Sequence, residues 1–322
     1  MRPDPQKIRH VACIGAGTIG AGWAAYFLSR GLSVAVTDPG PGAEALLHRI
    51  IDGAWPSLEA LGLAPGADRR RVSFMPTVAE AVKGAEFVQE SAPDRLELKT
   101  VLLEEIDRAL PPEVVIASST STFLPSALGA RCRHPERVIV GHPFAPAHLI
   151  PLVEVVGAEA TPAEVLDWAV AFYAAIGKRP LRLKKEIQSF IANRLQYAIR
   201  EEANRLVEAG ICDFADIDTA VTQGIGLRWA FMGTCLIFHM AGGDKGMRHM
   251  LAQFGPALKL PWTKLVAPEL TNELLDRMVE GTERQANGRS VKELERYRDD
   301  ALISVMEVLG RVKARHGLAP GE

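Results

Sequence analysis

A glycine motif near the N-terminus constrains the fold of this chain more than any other feature. An apolar run, residues 11–14, leads into Gly15-x-Gly17-x-x-Gly20, and a stretch of small residues, 21–28, follows with helical character. In such a motif the first glycine permits a tight turn, the second lets the backbone approach a pyrophosphate, and the third lets the helix pack closely on the strand. The N–H groups and dipole of the helix then attract phosphate. The motif predicts a strand–turn–helix unit that binds a dinucleotide.

An acidic residue after the next apolar run indicates which dinucleotide is bound. Residues 32–36 are predicted to form a second strand that ends close to Asp38, about 20 residues beyond Gly17. A carboxylate there accepts hydrogen bonds from the adenosine ribose and repels a 2′-phosphate, so NAD is favoured over NADP. Because strand, glycines, helix, strand and acid occur in the required order, an ordinary glycine turn is the weaker interpretation. The predicted cofactor contacts here are Gly15, Ala16, Gly17, Thr18, Ile19, Gly20 and Asp38.

Size and composition exclude several classes of protein. The 322 residues are enough for two domains of about 150 residues each. A net charge of −2 gives no field that would draw the chain to nucleic acid or to an anionic membrane, and no apolar run approaches the ~20 residues of a membrane span. The first residues lead directly into a predicted strand, so we expect no signal peptide. Four cysteines lie far apart without zinc-site spacing, which predicts reduced thiols, no metal and a cytoplasmic location.

The N-terminal part alternates between strand-like and helix-like segments. This alternation predicts an α/β fold, a Rossmann-type doubly wound and mostly parallel sheet, for a domain of residues 1–186. The predicted strands are 10–14, 32–37, 72–75, 86–90, 113–118, 137–141, 151–156 and 180–183, and the main helices are 18–30, 42–61, 96–109 and 163–176.

The pattern changes after Lys185. Apolar residues recur at helical spacing from Ile187 to Leu206, which predicts a long amphipathic helix. Residues 187–322 are therefore predicted to form an all-helical C-terminal domain that serves substrate binding and dimerisation. Its further predicted helices are 214–224, 230–240, 244–254, 271–286 and 290–314.

A histidine and a glutamate form the candidate catalytic pair. His142 follows an apolar strand, so it lies at a carboxyl end, where open α/β sheets bind their ligands. Glu154 lies within a short apolar strand, and a carboxylate there is costly to bury without a partner. An imidazole is a suitable partner because the carboxylate orients it and raises its basicity. Such a pair can remove the proton of a secondary alcohol while a hydride leaves its carbon.

A run of hydroxyl residues, 118–122, follows another predicted strand. Its side chains can bind a substrate oxygen or a cofactor ribose, and Ser121 and Ser119 are the candidates for these two roles. They can equally cap the next helix, and taken alone the run favours capping.

The residues now described resemble the 3-hydroxyacyl-CoA dehydrogenase superfamily over nearly the whole chain. The C-terminal stretches of this chain are similar to those of the carnitine 3-dehydrogenases, and the λ-crystallin (gulonate dehydrogenase) group is a neighbouring group. The general motifs are Ala117-Ser-Ser-Thr-Ser, His142-x-x-x-Pro, Leu152-Val-Glu-Val and Phe190-Ile-x-Asn-Arg-Leu, and the more specific ones are Gly242-Gly-Asp-Lys-Gly-Met-Arg-His, Gln253-Phe-Gly-Pro, Pro261-Trp-Thr-Lys and Gly288-Arg-Ser-Val-Lys-Glu-Leu-Glu.

The resemblance implies an NAD-dependent oxidation of the 3-hydroxyl of a small 3-hydroxy acid, with L-carnitine, oxidised to 3-dehydrocarnitine, as the favoured substrate. It implies His142 as general base and Glu154 as its orienting partner. It also implies that Ser121 binds the substrate oxygen and that Asn193 is a further polar contact. Asp94 and Lys99 match positions that contact the nicotinamide end of NAD, although for Lys99 alone a solvated helix charge would be the preferred interpretation. These catalytic and cofactor assignments are His142, Glu154, Ser121, Asn193, Asp94 and Lys99.

Two residues depart from the superfamily pattern. Ala145 stands where an asparagine usually follows the histidine, so one substrate-orienting amide is missing. Gln188-Ser189 replaces a Pro-Gly pair, which indicates a different rim of the substrate pocket. Both departures leave hydride transfer in place and bear on which alcohol is oxidised.

A carnitine substrate would place specific demands on the pocket. Its quaternary ammonium donates no hydrogen bond and is best held by aromatic faces, although core packing is the commoner role of each ring. Its carboxylate needs a cation, for which Arg194, Arg228 and Lys264 are candidates. The candidate aromatic residues are Phe144, Trp229, Phe231, Phe254 and Trp262.

The alternatives are distinguished by their binding surfaces. A coenzyme A thioester needs a basic strip, and residues 42–66 offer only Arg49 and His48 as basic groups, which argues mildly against it. L-3-Hydroxyacyl-CoA and L-gulonate remain alternative substrates. A non-catalytic, crystallin-like NAD(H)-binding protein is the alternative of another class. The apolar positions of the helical domain, together with the resemblance, also predict a homodimer.

Overall fold

The chain contains two compact units. The computed structural model describes residues 2–230, 232–242, 244, 248–253, 271–273 and 288–318. One unit comprises Met1–Asn193 and the other Arg194–Pro320. The first is α/β and the described part of the second is helical, so the predicted fold class is confirmed.

One eight-stranded sheet organises the first unit. Its strand order is β3-β2-β1-β4-β5-β6-β7-β8, and neighbours are parallel except β6 and β7, which are antiparallel. The order reverses between β1 and β4, and ligands bind at such a switch point in open α/β sheets. The strands are β1 (His10–Ile14), β2 (Ser33–Thr37), β3 (Val72–Phe74), β4 (Phe87–Glu90), β5 (Val115–Ser118), β6 (Val138–Pro143), β7 (Leu152–Gly157) and β8 (Arg179–Arg182). All eight predicted strands are present, with ends that shift by no more than two residues.

Helices cover both faces of this sheet. They are α1 (Thr18–Ser29), α2 (Ala43–Ala60), α3 (Val78–Val82), α4 (Leu96–Ala109), α5 (Pro125–Leu128) and α6 (Ala163–Ala175). Alternate strand residues point to opposite faces, and each face has its own apolar core. One core packs α1, α2 and α6 and contains Trp23, Phe87 and Phe172. The other packs α3 and α4 and contains Leu103 and Ile106.

The described part of the second unit continues in helices. They are α7 (Ala192–Glu208), which starts in the first unit, α8 (Phe214–Ala220), α9 (Gly226–Trp229), α10 (Thr234–Ala241) and α11 (Val291–Arg315). A π-helical turn, Val221–Ile225, joins α8 to α9, and residues 248–253 are helical. Most of the predicted helix 271–286 lies outside the described residues.

The predicted start of the long amphipathic helix at Ile187 is wrong. The helix starts at Ala192, because Ser189 and Phe190 adopt left-handed backbone angles with φ of 62° and 55°. A right-handed helix cannot pass through two such residues. The positive φ falls where the superfamily pattern has glycine, so the chain turns sharply just before α7.

Apolar side chains remain exposed on the helices of the second unit. Leu195, Leu236 and Met240 are 59%, 53% and 59% exposed. Among the described residues no single helix is long and apolar enough to cross a membrane, and one bent pair of helices meets that test by length and composition only.

Candidate active site

The carboxyl ends of four strands bring the candidate residues together. The register aligns Ile14 of β1 with Glu90 of β4, and Glu90 with Ser118 of β5. Ser118 is in turn aligned with Val140 of β6, two residues before His142. The glycine turn, the hydroxyl run and the histidine therefore share one edge of the sheet.

The three glycines of the motif differ in what a side chain would meet at each position. Gly15 has φ of 105°, and a Cβ there would lie 2.7 Å from the Ser91 carbonyl oxygen. A Cβ on Gly20 would lie 2.0 Å from the Gly15 oxygen. A Cβ on Gly17, in contrast, meets nothing within 4 Å. The fold itself requires Gly15 and Gly20, whereas at Gly17 it leaves open space at the start of α1, where a pyrophosphate would lie.

The start of α1 fits a phosphate. Gly17 is the N-cap residue and provides no side-chain cap, so the first N–H groups of the helix remain available to an anion. Gly17 and Thr18 are exposed, Ile19 is half-buried, and Ala16 is buried.

Asp38 lies beside this turn at the end of β2. Its Oδ2 accepts a hydrogen bond from Ala16 N at 2.7 Å, and its Oδ1 accepts one from Gly40 N at 2.8 Å. A cleft of about 600 Å³ extends from it, and its walls include Val78, Leu98 and Leu102. Such an apolar cleft next to the acid suits an adenine ring, so these residues fit NAD. This apolar wall was not predicted from the sequence, although Leu98 and Leu102 are one helical turn apart.

Gly17→Ala tests whether the open space at α1 holds the cofactor. We expect the variant to melt at nearly the temperature of the wild type, because the added Cβ meets no protein atom. We expect its NAD affinity to fall at least about tenfold, or ~1.4 kcal/mol. Thermal melting with and without NAD measures both quantities. Gly20→Ala is the control, since its Cβ collides with the Gly15 carbonyl and destabilises the protein itself. Unchanged NAD binding by Gly17→Ala would contradict the assignment.

Lys99 and Glu90 form a buried ion pair near the cofactor edge. The Lys99 side chain is 1% exposed, so a solvated helix charge is the wrong interpretation. Its Nζ lies 2.9 and 3.1 Å from the two Glu90 carboxylate oxygens and donates to the Ala92 carbonyl at 2.9 Å. Glu90 also accepts from Ala92 N and from Ser118 Oγ. Glu90 was not predicted from the sequence, although its place in an apolar strand is the same signal that indicated Glu154.

Asp94 positions the hydroxyl run. It accepts hydrogen bonds from Thr120 Oγ1 at 2.6 Å, from Ser121 Oγ at 3.1 Å and from Ser121 N at 3.2 Å. Partial burial opposes ionisation, but the Thr120 hydroxyl, the Lys99 ammonium and Ser121 lower the pKa of Asp94 below its ordinary value. The carboxylate is therefore ionised near neutral pH and fixes the half-buried Ser121.

The hydroxyl run contains the capping arrangement that the sequence favoured, and it places Ser119 near the glycine turn. Thr120 Oγ1 accepts from the N–H groups of Thr122 and Phe123, which is a capping arrangement. Ser119 Oγ accepts from Gln89 Nε2 at 2.8 Å and lies 2.8 Å from Ser91 Oγ. Ser119 is thus held beside the glycine turn, where a cofactor contact is possible.

His142 and Glu154 meet directly. They are paired across the antiparallel strands β6 and β7, which puts both side chains on one face. His142 Nδ1 lies 2.9 Å from Glu154 Oε2, and the two residues are 5% and 0% exposed. The predicted contact between them is therefore present.

The environment of Glu154 keeps it ionised. Burial acts to raise its pKa, but the hydrogen bonds from His142 and from the N–H groups of Ala192 and Ile191 lower the pKa below its ordinary value. Those N–H groups, at the start of α7, donate to Oε1 at 3.0 and 2.8 Å. Because an ionised carboxylate only accepts, Nδ1 of His142 carries the proton that it donates to Glu154. Nε2 is then the nitrogen that can accept a proton.

The left-handed turn before α7 serves this arrangement. Ser189 and Phe190 are strained non-glycine residues, and strain of this kind persists where the surrounding structure requires it. The turn points the N–H groups of Ile191 and Ala192 at Glu154. Asn193, half-buried, follows directly.

The candidate substrate residues are distributed over both units. Phe144 is half-buried, and its ring centroid lies 5.3 Å from that of His142 in a T-shaped arrangement. The ring centroid of Phe190 lies 5.2 Å from that of His142, with the two rings tilted, and Phe190 is completely buried. Arg194, Arg228 and Trp229 are exposed on helices of the second unit. Phe231, Phe254, Trp262 and Lys264 lie outside the described residues.

In the ranges that the structure describes, no group of three or more His, Cys, Asp or Glu side chains is arranged to hold a metal ion.

Comparison with known proteins identifies relatives over the full chain. The model for the 3-hydroxyacyl-CoA dehydrogenase NAD binding domain matches residues 10–187, and the model for the C-terminal domain of that family matches residues 190–287. The L-carnitine dehydrogenase of Burkholderia mallei is 53% identical over 97% of this chain and 97% of that protein. The L-carnitine dehydrogenase of Pseudomonas aeruginosa is 52% identical over 98% of each.

Solved structures show the same fold. The NAD+-dependent dismutase 5-formyl-3-hydroxy-2-methylpyridine 4-carboxylic acid 5-dehydrogenase has a TM-score of 0.80 at 30% identity, covering 94% of this chain and 98% of its own. The 3-hydroxybutyryl-CoA dehydrogenase of Escherichia coli K12 has a TM-score of 0.65 at 28% identity, covering 85% of this chain and 57% of its own.

Proposed function

The chain belongs to the 3-hydroxyacyl-CoA dehydrogenase family, and we propose that it oxidises the 3-hydroxyl of L-carnitine to 3-dehydrocarnitine. It is an NAD-dependent dehydrogenase that acts on a CH–OH group. The buried contact between His142 and Glu154, at the carboxyl edge of a dinucleotide-binding sheet, is the observation that carries the chemistry. The roughly half-identical L-carnitine dehydrogenases support the choice of substrate.

The proposed mechanism assigns one proton transfer to the protein. His142 Nε2 accepts the hydroxyl proton of the alcohol, and the ionised Glu154 stabilises the imidazolium that results. Ser121 stays fixed to Asp94 through its backbone N–H. Its hydroxyl proton, which Asp94 accepts in the structure, turns to the substrate oxygen when the alcohol binds, and Asn193 is a further polar contact. NAD, when bound, supplies the acceptor for the hydride that leaves the alcohol carbon.

We assign the cofactor contacts to two groups of residues. The first group holds the pyrophosphate and adenosine and comprises the glycine turn, residues 15–20, with Asp38. The second group borders the nicotinamide end and comprises Ser119 and Asp94. The buried Lys99 supports this edge through its ion pair with Glu90 and lies 3.7 Å from Asp94.

The shape of carnitine links its ammonium to the catalytic pair. One methylene group separates its hydroxyl carbon from the quaternary ammonium, so the ammonium must lie close to whatever base takes the proton. Phe144 is the partly accessible aromatic ring that contacts the His142 ring, since Phe190 is fully buried. A cation over an aromatic face gains about 0.5–2 kcal/mol.

Phe144→Leu tests this contact. We expect KM for L-carnitine to rise about tenfold, because leucine fills the site but lacks the aromatic face. We expect KM for NAD to stay constant, and steady-state kinetics measures both values. Phe144→Tyr keeps an aromatic face and is the matched control. Equal KM values for L-carnitine in wild type and Phe144→Leu would exclude the proposed ammonium contact.

The substrate is tested by direct comparison. NADH formation is measured with L-carnitine, L-gulonate and 3-hydroxybutyryl-CoA at equal concentrations. We expect turnover with L-carnitine to exceed that with either competitor. Helix α2 carries His48 and Arg49 as its basic groups, which is little positive charge for a coenzyme A chain. No activity on L-carnitine together with activity on a competitor would end the carnitine assignment.

We further propose that residues 187–322 form the substrate and dimerisation domain and that the protein is a cytoplasmic homodimer. The exposed apolar side chains of α7 and α10 support a partner, because obligate interfaces resemble a divided core. All four cysteines are free thiols, which fits a reducing compartment. A monomeric mass in light scattering would refute the dimer.

A further inference from the structure

Lys178 is a buried charged residue that the proposed proton transfer does not use. It lies between α6 and β8 and is 1% exposed. Its Nζ donates to the carbonyl oxygens of Ala147 at 2.5 Å and Ile150 at 2.9 Å. Two neutral carbonyls of one loop are therefore its hydrogen-bond acceptors.

The remaining surroundings of this ammonium are aromatic. Nζ lies 3.9 Å from the ring centroid of Tyr26 and 5.0 Å from that of Trp23, both on α1. Burial, with a smaller contribution from Arg30, lowers the pKa of Lys178 to about 7. An apolar side chain would fill this aromatic pocket without that cost. Apart from the cation–π contacts with these two rings, the two hydrogen bonds are what a lysine adds here.

The loop that Lys178 binds, residues 144–151, connects the two strands of the catalytic pair. It begins two residues after His142 and ends three residues before Glu154. Inside the loop, the N–H groups of Leu149 and Ile150 both donate to the Pro146 carbonyl at 3.0 Å. Phe144, next to the imidazole, is its first residue.

We propose that Lys178 is a positioning residue that anchors the 144–151 loop through the Ala147 and Ile150 carbonyls and thereby holds Phe144 beside His142. The effect on the substrate rests on the proposed function, whereas the anchoring of the loop does not. Lys178 touches neither the reacting atoms nor the substrate, so its influence is transmitted through the backbone of the loop.

Lys178→Met tests the anchor, because methionine is unbranched, nearly as long and still packs on the aromatic rings, but donates no hydrogen bond. Hydrogen–deuterium exchange of residues 144–151 is measured in the full-length protein, together with KM for L-carnitine and for NAD. We expect exchange at Leu149 and Ile150 to become at least about tenfold faster, and KM for L-carnitine to rise about tenfold while KM for NAD stays constant. Lys184→Met, at an exposed lysine six residues away, should change neither.

The outcomes separate the anchor from the proposed function. Lys178→Gln is measured in parallel and should change exchange in the same direction, since its shorter amide does not reach both carbonyls. If the amides of residues 144–151 exchange at the wild-type rate in both variants, Lys178 does not anchor the loop. Faster exchange with an unchanged KM for L-carnitine overturns the positioning of Phe144. A wild-type protein without activity on L-carnitine would refute the proposed function alone, because the exchange experiment does not depend on turnover.

Discussion

His142→Gln is expected to lower kcat for L-carnitine oxidation by about a hundred-fold to ten-thousand-fold. Glutamine is similar in size and can still donate to Glu154, but it has no nitrogen that accepts a proton near neutral pH. The stability of the protein should change little, because the hydrogen bond to the buried carboxylate can be kept. Single-turnover measurements of NADH formation give the rate of the chemical step.

Two controls accompany this variant. NAD binding, read from the cofactor-induced shift of the melting temperature, should equal that of the wild type because the glycine turn and Asp38 are unchanged. Turnover by the wild type that is lost in His142→Gln would also exclude a non-catalytic, crystallin-like role. Activity of the variant at the wild-type level would remove His142 from the mechanism.

Glu154→Gln is expected to lower kcat by a similar factor through the tautomer of the histidine. The N–H groups of Ile191 and Ala192 require an acceptor, so the amide oxygen of the substituted side chain will face them. Its NH₂ group then points at His142 Nδ1 and donates to it. Nδ1 becomes the acceptor, the neutral ring carries its proton on Nε2, and the base is blocked.

The tautomer can be observed independently of the rate. Nitrogen chemical shifts of His142 should report a proton on Nδ1 in the wild type and on Nε2 in Glu154→Gln. Glu154→Asp keeps the negative charge but moves the carboxylate away from His142 Nδ1. It therefore shows how the rate depends on the distance between these two groups. A Glu154→Gln enzyme with near wild-type kcat would show that the carboxylate does not orient the base.

Local sequence patterns were sufficient to predict the sheet. The apolar run of β1 stops at Gly15, so the C-terminal end of that strand follows from composition, whereas β6 continues two residues beyond its predicted end, through Gly141 to Pro143. The contact of His142 with Glu154 was also predictable, because a carboxylate in an apolar strand needs a partner and the histidine precedes it by one short loop.

Long-range contacts explain what the sequence did not predict. Lys99 has the sequence surroundings of a surface residue, but it is buried because its ammonium pairs with Glu90, which lies at the end of β4 between β1 and β5. The true start of α7 depends on the requirement of Glu154 for backbone donors at Ile191 and Ala192. The buried environment of Lys178 depends on α1, which is distant in sequence.

The fate of the hydrogen on the 3-position of L-carnitine shows whether the protein transfers a hydride from this substrate to NAD. L-Carnitine deuterated at that carbon is incubated with the wild-type protein and NAD, and the reduced cofactor is analysed by mass spectrometry. We predict deuterium in the reduced cofactor with the wild type and only a trace of it with Glu154→Gln. If the wild-type protein binds NAD but leaves both L-carnitine and NAD unchanged, it does not oxidise L-carnitine and the proposed function is wrong.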